Sequence, residues 1–351
     1  MGSLRFLLAL SVACGHFGVP LGFPTSDVAV QSFFVISGFY MALVLNEKYG
    51  PGTYWLFLSN RLLRIWPAYF LILILSLAAT GNWRPIAALD WTAIVFFAAS
   101  QILIVGQDMY LFLFVSDHGL TFTAHYTEVS APLYGFAPIP PAWTLALEIY
   151  FYVLAPFVVR RGPILIAALL AASLVVRMVL QGSFGLGGHP WSFRFFPSEL
   201  ALFLAGSLGY YVHASRTMEQ RTRLTMLLTG VAVLVFACLA INRWDGMTRL
   251  TSLALLAAVI VSVPRLFEIT GKLAWDKYIG ELSYPFYICH FLFGWLVLPS
   301  TYLAVHSALL LTLAASVAIY HLLDRPIDAW RQNRLRKTDL TVDTGRLLAS
   351  V

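Results

Sequence analysis

Charged residues are scarce in this chain. Asp, Glu, Lys and Arg make up 11% of its 351 residues, whereas hydrophobic residues make up 59%. A soluble domain carries about 25% charged residues, so this composition excludes a soluble globular protein. The mean hydropathy of +0.77 instead predicts a polytopic membrane protein. The net charge of +6 implies no nucleic-acid partner, because Lys and Arg collect in loops that the positive-inside rule places in the cytoplasm.

Cysteine is also scarce, and Cys14, Cys238 and Cys289 all lie within apolar segments. Their spacing predicts neither a disulfide nor a zinc site. The motifs Gly-x-Ser-x-Gly and His-Glu-x-x-His do not occur, so a hydrolase elbow and a metalloprotease site have no support. We therefore expect no metal.

Long apolar runs alternate with basic loops, a pattern typical of an all-α, polytopic membrane helix bundle. The positions of the basic loops predict that the N- and C-termini are both cytoplasmic. We expect about ten transmembrane helices, at residues 4–23, 28–46, 65–80, 143–159, 163–180, 197–213, 224–241, 249–263, 279–299 and 301–321.

One apolar run does not fit this alternation. Residues 91–115 lie between two points that must both be outside, and they are too few for two spans of about 20 residues each. Because Gly106-Gln107-Asp108 interrupts the run, we predict a re-entrant or broken segment there. Upstream, Tyr54 to Leu58 resembles a short interfacial amphipathic helix.

We expect a membrane-embedded domain over residues 1–324, followed by a basic cytoplasmic tail over residues 325–351 that is disordered after Asp339. Membrane lipids surround such a protein. Homo-oligomerisation stays open.

Arg5 and His16 lie eleven residues apart in the first apolar run. This separation is about three helical turns, so both side chains project from one helix face about 16 Å apart along the axis. Ionisable groups inside a membrane are costly and are candidates for function. His16 is a candidate general base or a helix-packing histidine, and Arg5 is a ligand-binding cation or a topology anchor.

Arg61 and Arg64 share a helix face just before Trp66-Pro67. With Arg5 they would form a cytoplasmic clamp for a phosphorylated ligand, since guanidinium groups bind phosphate bidentately. A role as topology signals alone is the alternative.

Other polar residues lie inside the predicted spans or at their ends. A lone carboxylate at Glu148 would be energetically costly unless it is paired or neutral. It is either the partner of His16 or Arg177, or part of a purely structural ion pair. Arg194 and Glu199 flank Pro197, which favours a local salt bridge or helix cap.

Two further pairs of residues, Ser283 with His290 and Ser37 with Gly38, combine small and polar side chains. His290 follows Ser283 by seven residues on roughly the same face, so it either contacts substrate or packs in the core. Ser37-Gly38 is interpreted as a pair of small residues that permits close helix contact.

The motifs resemble those of the acyltransferase-3 family of membrane O-acyltransferases. Arg5 and His16 match its Arg-x10-His, and residues 33–39 match its Phe-Phe-x-Ile-Ser-Gly-Phe. Residues 61–67 match Arg-x-x-Arg-Ile-x-Pro, and residues 143–152 match Trp-Ser-Leu-x-x-Glu-x-x-Phe-Tyr. Near the end, residues 280–290 resemble its Gly-x-x-Ser-Tyr-x-x-Tyr-x-x-His block, and Asp324-Arg325-Pro326 resembles its closing motif. The six blocks occur in the family's order over nearly the whole chain.

This resemblance implies transfer of an acyl group, most often acetyl, from cytoplasmic acyl-CoA to a hydroxyl, with a carbohydrate as the expected acceptor and a small natural product as the alternative. The acceptors are sugars of surface polysaccharides, lipid-linked glycans or small natural products, and the location is the bacterial inner membrane. His16 is then general base or acyl carrier, Glu148 orients or stabilises its imidazole, and Arg5, Arg61 and Arg64 hold the donor. The remaining candidates for substrate binding are Trp143, Arg177, Arg194, Glu199, Ser283 and His290.

Two departures from the family pattern matter. Thr144 stands where the family has Ser. We also expect a single-domain form, without the extracytoplasmic hydrolase-like domain that some family members carry at the C-terminal end. We therefore expect direct acylation or transfer to a separate extracytoplasmic partner. A transporter or flippase, and a non-catalytic assembly protein, are the rival interpretations of the same polar residues.

Overall fold

The computed structural model describes residues 1–19, 24–81, 86, 89–117, 119–241, 247–297 and 302–336, which form a bundle of helices. The helices are α1 (Gly2–His16), α2 (Ser26–Glu47), α3 (Tyr54–Thr80), α4 (Trp91–Leu103), α5 (Trp143–Val158), α6 (Pro163–Phe184), α7 (Phe196–His213), α8 (Met218–Ala240), α9 (Met247–Thr270), α10 (Ala274–Leu296) and α11 (Tyr302–Ile319).

Length and hydropathy identify the membrane-crossing elements. Within the described residues, seven helices are long and apolar enough to span a bilayer. The protein is thus an integral, multi-pass membrane protein with an all-α bundle, as predicted. Ten crossings and cytoplasmic termini stay predictions.

Helix α2 lies at the centre of the bundle. In its most apolar stretch 89% of residues are buried, against 28% for α6 and α8, whose apolar side chains face outward. Helix α2 packs closely on α7, because a Cβ atom at Gly38 would lie 1.8 Å from the Phe203 carbonyl oxygen and one at Gly206 equally close to the Val35 oxygen. The prediction that Ser37-Gly38 permits close helix contact is confirmed.

The first predicted span, residues 4–23, is too long. Helix α1 ends at His16, because Gly18 adopts a positive φ of 70° and the Val19 N–H donates to the Cys14 carbonyl at 2.9 Å. Residues 20–23 lie outside the described part of the chain. The correction matters for the site, because it places His16 at the end of a helix instead of in its middle.

The predicted interfacial segment at residues 54–58 is not a separate helix. It is the first part of α3, which continues through Pro67 to Thr80. Trp55 is 76% exposed, as an interfacial aromatic side chain would be.

The predicted break near Gly106 is confirmed. Helix α4 ends at Leu103, Ile104 and Gly106 have positive φ angles, and a 3-10 turn follows at Gln107–Leu111. With 13 residues, α4 is about 20 Å long and too short to cross a bilayer. A small antiparallel hairpin of β1 (Leu113–Ser116) and β2 (Gly119–Phe122) follows, which the sequence did not predict.

The chain stays helical beyond the predicted start of the tail. Helix α11 passes through a π-helical segment at Tyr320–Asp324 and continues to residue 336, and we call residues 325–336 the C-terminal helix. Arg334 donates to the Asn60 side chain at 2.9 Å and to Ser59 at 3.0 Å, which ties this helix to α3. The disorder predicted after Asp339 lies outside the described residues.

Candidate active site

A cavity of about 730 Å³ opens at one end of the bundle, within the range of small-molecule sites. Its walls come from α1, α2, α3, α5 and α10 and from the C-terminal helix. Its lining contains more cations than acids. The cations are Arg5, Lys48, Arg61, Arg64, Lys277, Arg325 and Arg331, and the acids are Glu47, Glu148, Asp276, Glu281 and Asp328.

The three arginines predicted to form a clamp all line this cavity. Arg64 is neutralised by Glu281 on α10, with 3.0 Å between Nη2 and Oε2. Among the described residues, the guanidinium groups of Arg5 and Arg61 have no hydrogen-bond or ion-pair partner, and the Arg61 Nε is buried. Of the three arginines, Arg5 and Arg61 are therefore the ones whose charge is not paired in the described structure.

The C-terminal helix adds two cations that the sequence did not reveal. Arg325 and Arg331 line the cavity, and Arg331 is 7% exposed. Arg331 pairs with Asp328 through Nη1, while its buried Nε has no partner in the described structure. Basic composition made this segment look like a solvated tail, and only its packing against α3 shows that it forms a wall.

Glu148 also lines the cavity, but it does not contact His16. Its carboxylate accepts a hydrogen bond from Tyr152 one helical turn later, at 3.0 Å. The predicted pairing of Glu148 with His16 or Arg177 is therefore wrong for this structure. The reason is that His16 lies at the far end of α1 and bonds to another helix.

Arg177 has a different partner. It pairs with Glu199, whose carboxylate also accepts from the Gln31 amide at 3.1 Å, and all three are buried. The predicted salt bridge between Arg194 and Glu199 is thus also wrong. The Arg177–Glu199 pair joins α6 to α7, outside the lining of the large cavity.

Arg194, in the segment before α7, contacts two aromatic rings. Its guanidinium carbon is 4.4 Å from the Tyr134 ring centre and 4.7 Å from that of Trp143. Burial lowers the pKa of Arg194, because its charge is removed from water. The two cation–π contacts offset part of that cost and place Trp143 and Arg194 side by side.

The inner end of the cavity is formed by Thr144 on α5 and Tyr287 on α10. The Thr144 hydroxyl donates to the Pro141 carbonyl at 2.9 Å, so the Tyr287 hydroxyl donates to Thr144 across 3.1 Å. Thr144 supplies the same hydroxyl as Ser would, which makes the departure from the family motif mild. Ser283 lines the cavity as well and donates to the Gly280 carbonyl at 2.6 Å.

His16 and His290 are joined directly. Their Nδ1 and Nε2 atoms are 2.9 Å apart, and His290 Nδ1 lies 2.7 Å from the Tyr287 carbonyl oxygen. His290 is fully buried, whereas His16 at the end of α1 is exposed. Neither histidine lines the large cavity, but Tyr287 connects the two regions because its ring lines the cavity and its carbonyl contacts His290.

Comparison with known proteins agrees with these motifs. The model of the acyltransferase-3 family, which is described as "Acyltransferase domain", matches residues 2–321. An uncharacterized protein of Aquifex aeolicus (strain VF5) is 23% identical over 205 residues, which is 56% of this chain and 91% of that protein. No solved structure matches the chain. From the match over nearly its whole length, the chain belongs to the acyltransferase-3 family of membrane acyltransferases.

Proposed function

We propose that this protein transfers an acetyl group from cytoplasmic acetyl-CoA to a hydroxyl of a carbohydrate, such as a surface polysaccharide or a lipid-linked glycan, in the bacterial inner membrane. One observation carries the proposal. Helices α1 and α10 both line the basic cavity at one end and carry the histidine pair at the other.

The donor occupies the cavity, with its phosphates at Arg5 and Arg61. These guanidinium groups have no acidic partner in the described structure, so the ligand supplies the anions that they lack. The acyl end of the donor points toward Thr144 and Tyr287 at the inner end. The basic mouth faces the cytoplasm by the positive-inside rule, where acyl-CoA is found.

His16 acts on the acceptor hydroxyl as general base. It takes the hydroxyl proton while the oxygen attacks the thioester carbonyl, the C–S bond breaks, and the proton then passes to the CoA thiolate. The products are an ester and free CoA. The same imidazole lone pair would attack the thioester if His16 served as acyl carrier, so both roles need an unprotonated nitrogen on its free side.

The donor-binding part of this site and the histidine pair lie far apart. Arg5 and His16 lie about 16 Å apart along α1, so the donor must extend along the helix for its thioester to reach the imidazole. The exposed position of His16 at the helix end leaves it open to an acceptor from the opposite side of the membrane.

Incubation of detergent-purified protein with radiolabelled acetyl-CoA tests the proposal. The acceptor is a lipid-linked glycan fraction from cells without the gene, and free thiol and extractable label are followed together. Acyl transfer predicts equal release of thiol and labelling of glycan. A transporter would release no thiol, and an assembly protein would not be stabilised by CoA; either result contradicts the proposal.

A further inference from the structure

The His16–His290 contact has the geometry of an in-plane hydrogen bond. The two imidazole planes differ by 1°, and their ring centres are 5.1 Å apart. This separation is close to the 2.9 Å between the nitrogens plus the distance from each nitrogen to its ring centre, so the rings lie end to end and not face to face. The shared hydrogen therefore lies in both ring planes, as a strong N–H···N bond requires.

The Tyr287 carbonyl fixes where the protons are. A backbone carbonyl only accepts hydrogen bonds, so His290 Nδ1, at 2.7 Å from it, carries a proton. His290 is fully buried, and an unpaired imidazolium there would be costly, so its second nitrogen is unprotonated. His290 Nε2 is thus an acceptor, and His16 Nδ1 must be the donor.

We propose that His290 is a positioning residue that holds His16 in the tautomer with its proton on Nδ1, which leaves Nε2 as the proton acceptor in acyl transfer. The order of the chain is Tyr287 carbonyl, His290, His16, acceptor hydroxyl. His290 takes the place that a carboxylate has in a serine-protease triad, where it also fixes the histidine tautomer. The catalytic use of Nε2 rests on the proposed function, whereas the tautomer does not.

The surroundings hold both rings in place. Phe291 lies 4.7 Å from the His16 ring and 4.9 Å from the His290 ring, and Phe17 meets the His290 ring edge-on at 6.0 Å. Among the described residues, no carboxylate contacts either histidine, so the tautomer is selected by a neutral partner. A neutral partner suits this position, because a buried carboxylate would carry a desolvation cost.

Nitrogen-15 spectra of the full-length, histidine-labelled protein in lipid test the tautomer directly. The chain has eight histidines, and the His16 signals are assigned by their loss in His16→Ala. Wild type is expected to show protonated Nδ1 and unprotonated Nε2 at His16, and His290→Leu is expected to shift His16 toward the Nε2–H form. Wild-type His16 with its proton on Nε2, or an unchanged tautomer in His290→Leu, overturns the proposal.

Kinetics test the consequence. A wrong tautomer costs about 10⁴-fold in a serine protease, so His290→Leu is expected to lower kcat at least about 100-fold with the KM for acetyl-CoA unchanged. His290→Gln places an amide oxygen near the position of Nε2 and is expected to recover activity to within about 10-fold of wild type. His321→Gln is the control, because His321 is exposed and bonds to Tyr278.

The outcomes separate the two proposals. If folded His290→Gln is no more active than His290→Leu, His290 does not act through an acceptor atom and the positioning role fails. If His16→Ala retains acyl transfer, the catalytic role of His16 fails, while the tautomer seen in the spectra stands or falls by itself.

Discussion

The two ends of α1 have different surroundings. At Arg5 the helix borders a wide cavity with cations from several helices, and some of these cations have no acidic partner in the described structure. At His16 it meets one fully buried histidine and the ring of Phe291. Unpaired charge suits recognition of a phosphorylated donor, whereas a neutral, oriented imidazole suits proton transfer. We infer that one helix separates binding from chemistry.

Replacement of His16 should have the largest effect. General base catalysis contributes about 10²–10⁴-fold, so His16→Ala should lower kcat by that factor and leave CoA binding unchanged. Acyl transfer by purified protein and titration with CoA measure the two quantities. Loss of CoA binding in a folded variant would mean that the two ends of α1 are not separable.

Replacement of Arg61 should weaken donor binding in the cavity, at the Arg5 end of α1. A hydrogen bond to a charged group is worth about 1.5–3 kcal/mol, so Arg61→Ala should raise the KM for acetyl-CoA about 10- to 100-fold with kcat nearly constant. Arg223→Ala is the matched control, because Arg223 is an exposed cation paired with Glu219 away from the cavity. An equal effect in both variants would reduce the role of Arg61 to net charge.

Replacement of Arg331 should give a smaller change in the same parameter. Its guanidinium already pairs with Asp328, so Arg331→Ala should raise the KM for acetyl-CoA by no more than about 10-fold. The measurement is the donor titration used for Arg61. A lower kcat with unchanged KM would show that the C-terminal helix serves the chemistry and not donor binding.

The smallest effect is expected at Glu148. It lines the cavity and accepts from Tyr152, but it does not contact His16. Because Gln keeps an acceptor oxygen for Tyr152, Glu148→Gln should change kcat by less than about 10-fold. A loss as large as that of His16→Ala would restore Glu148 to a catalytic role that the geometry does not explain.

Much of the fold followed from sequence because apolar length alone sets a membrane helix. Helices such as α2 and α7 were predicted within a few residues, and so was the break at Gly106. The end of α1 was missed because the apolar run continues past Gly18, where a single positive φ ends the helix. The C-terminal helix was not predicted because its sequence is highly charged, which is typical of a solvated tail, although it packs on α3.

The site was predictable in part. Topology brought Arg5, Arg61 and Arg64 to one side, and the structure places all three around one cavity. The partner of His16 was not predictable, since 274 residues separate His16 from His290 and any polar residue at this depth could have met it. Charge alone favours Glu148 as the partner, because the sequence does not show that α10, and not α5, packs against the end of α1.

Paired measurement of CoA affinity and acyl transfer in wild type, His16→Ala and Arg61→Ala tests the separation most directly. We expect His16→Ala to bind CoA like wild type and to transfer at least about 100-fold more slowly at saturating donor. We expect Arg61→Ala to bind CoA more weakly and to transfer at nearly the wild-type rate once saturated. Near-normal transfer by folded His16→Ala, or unchanged CoA affinity in Arg61→Ala, would contradict the account.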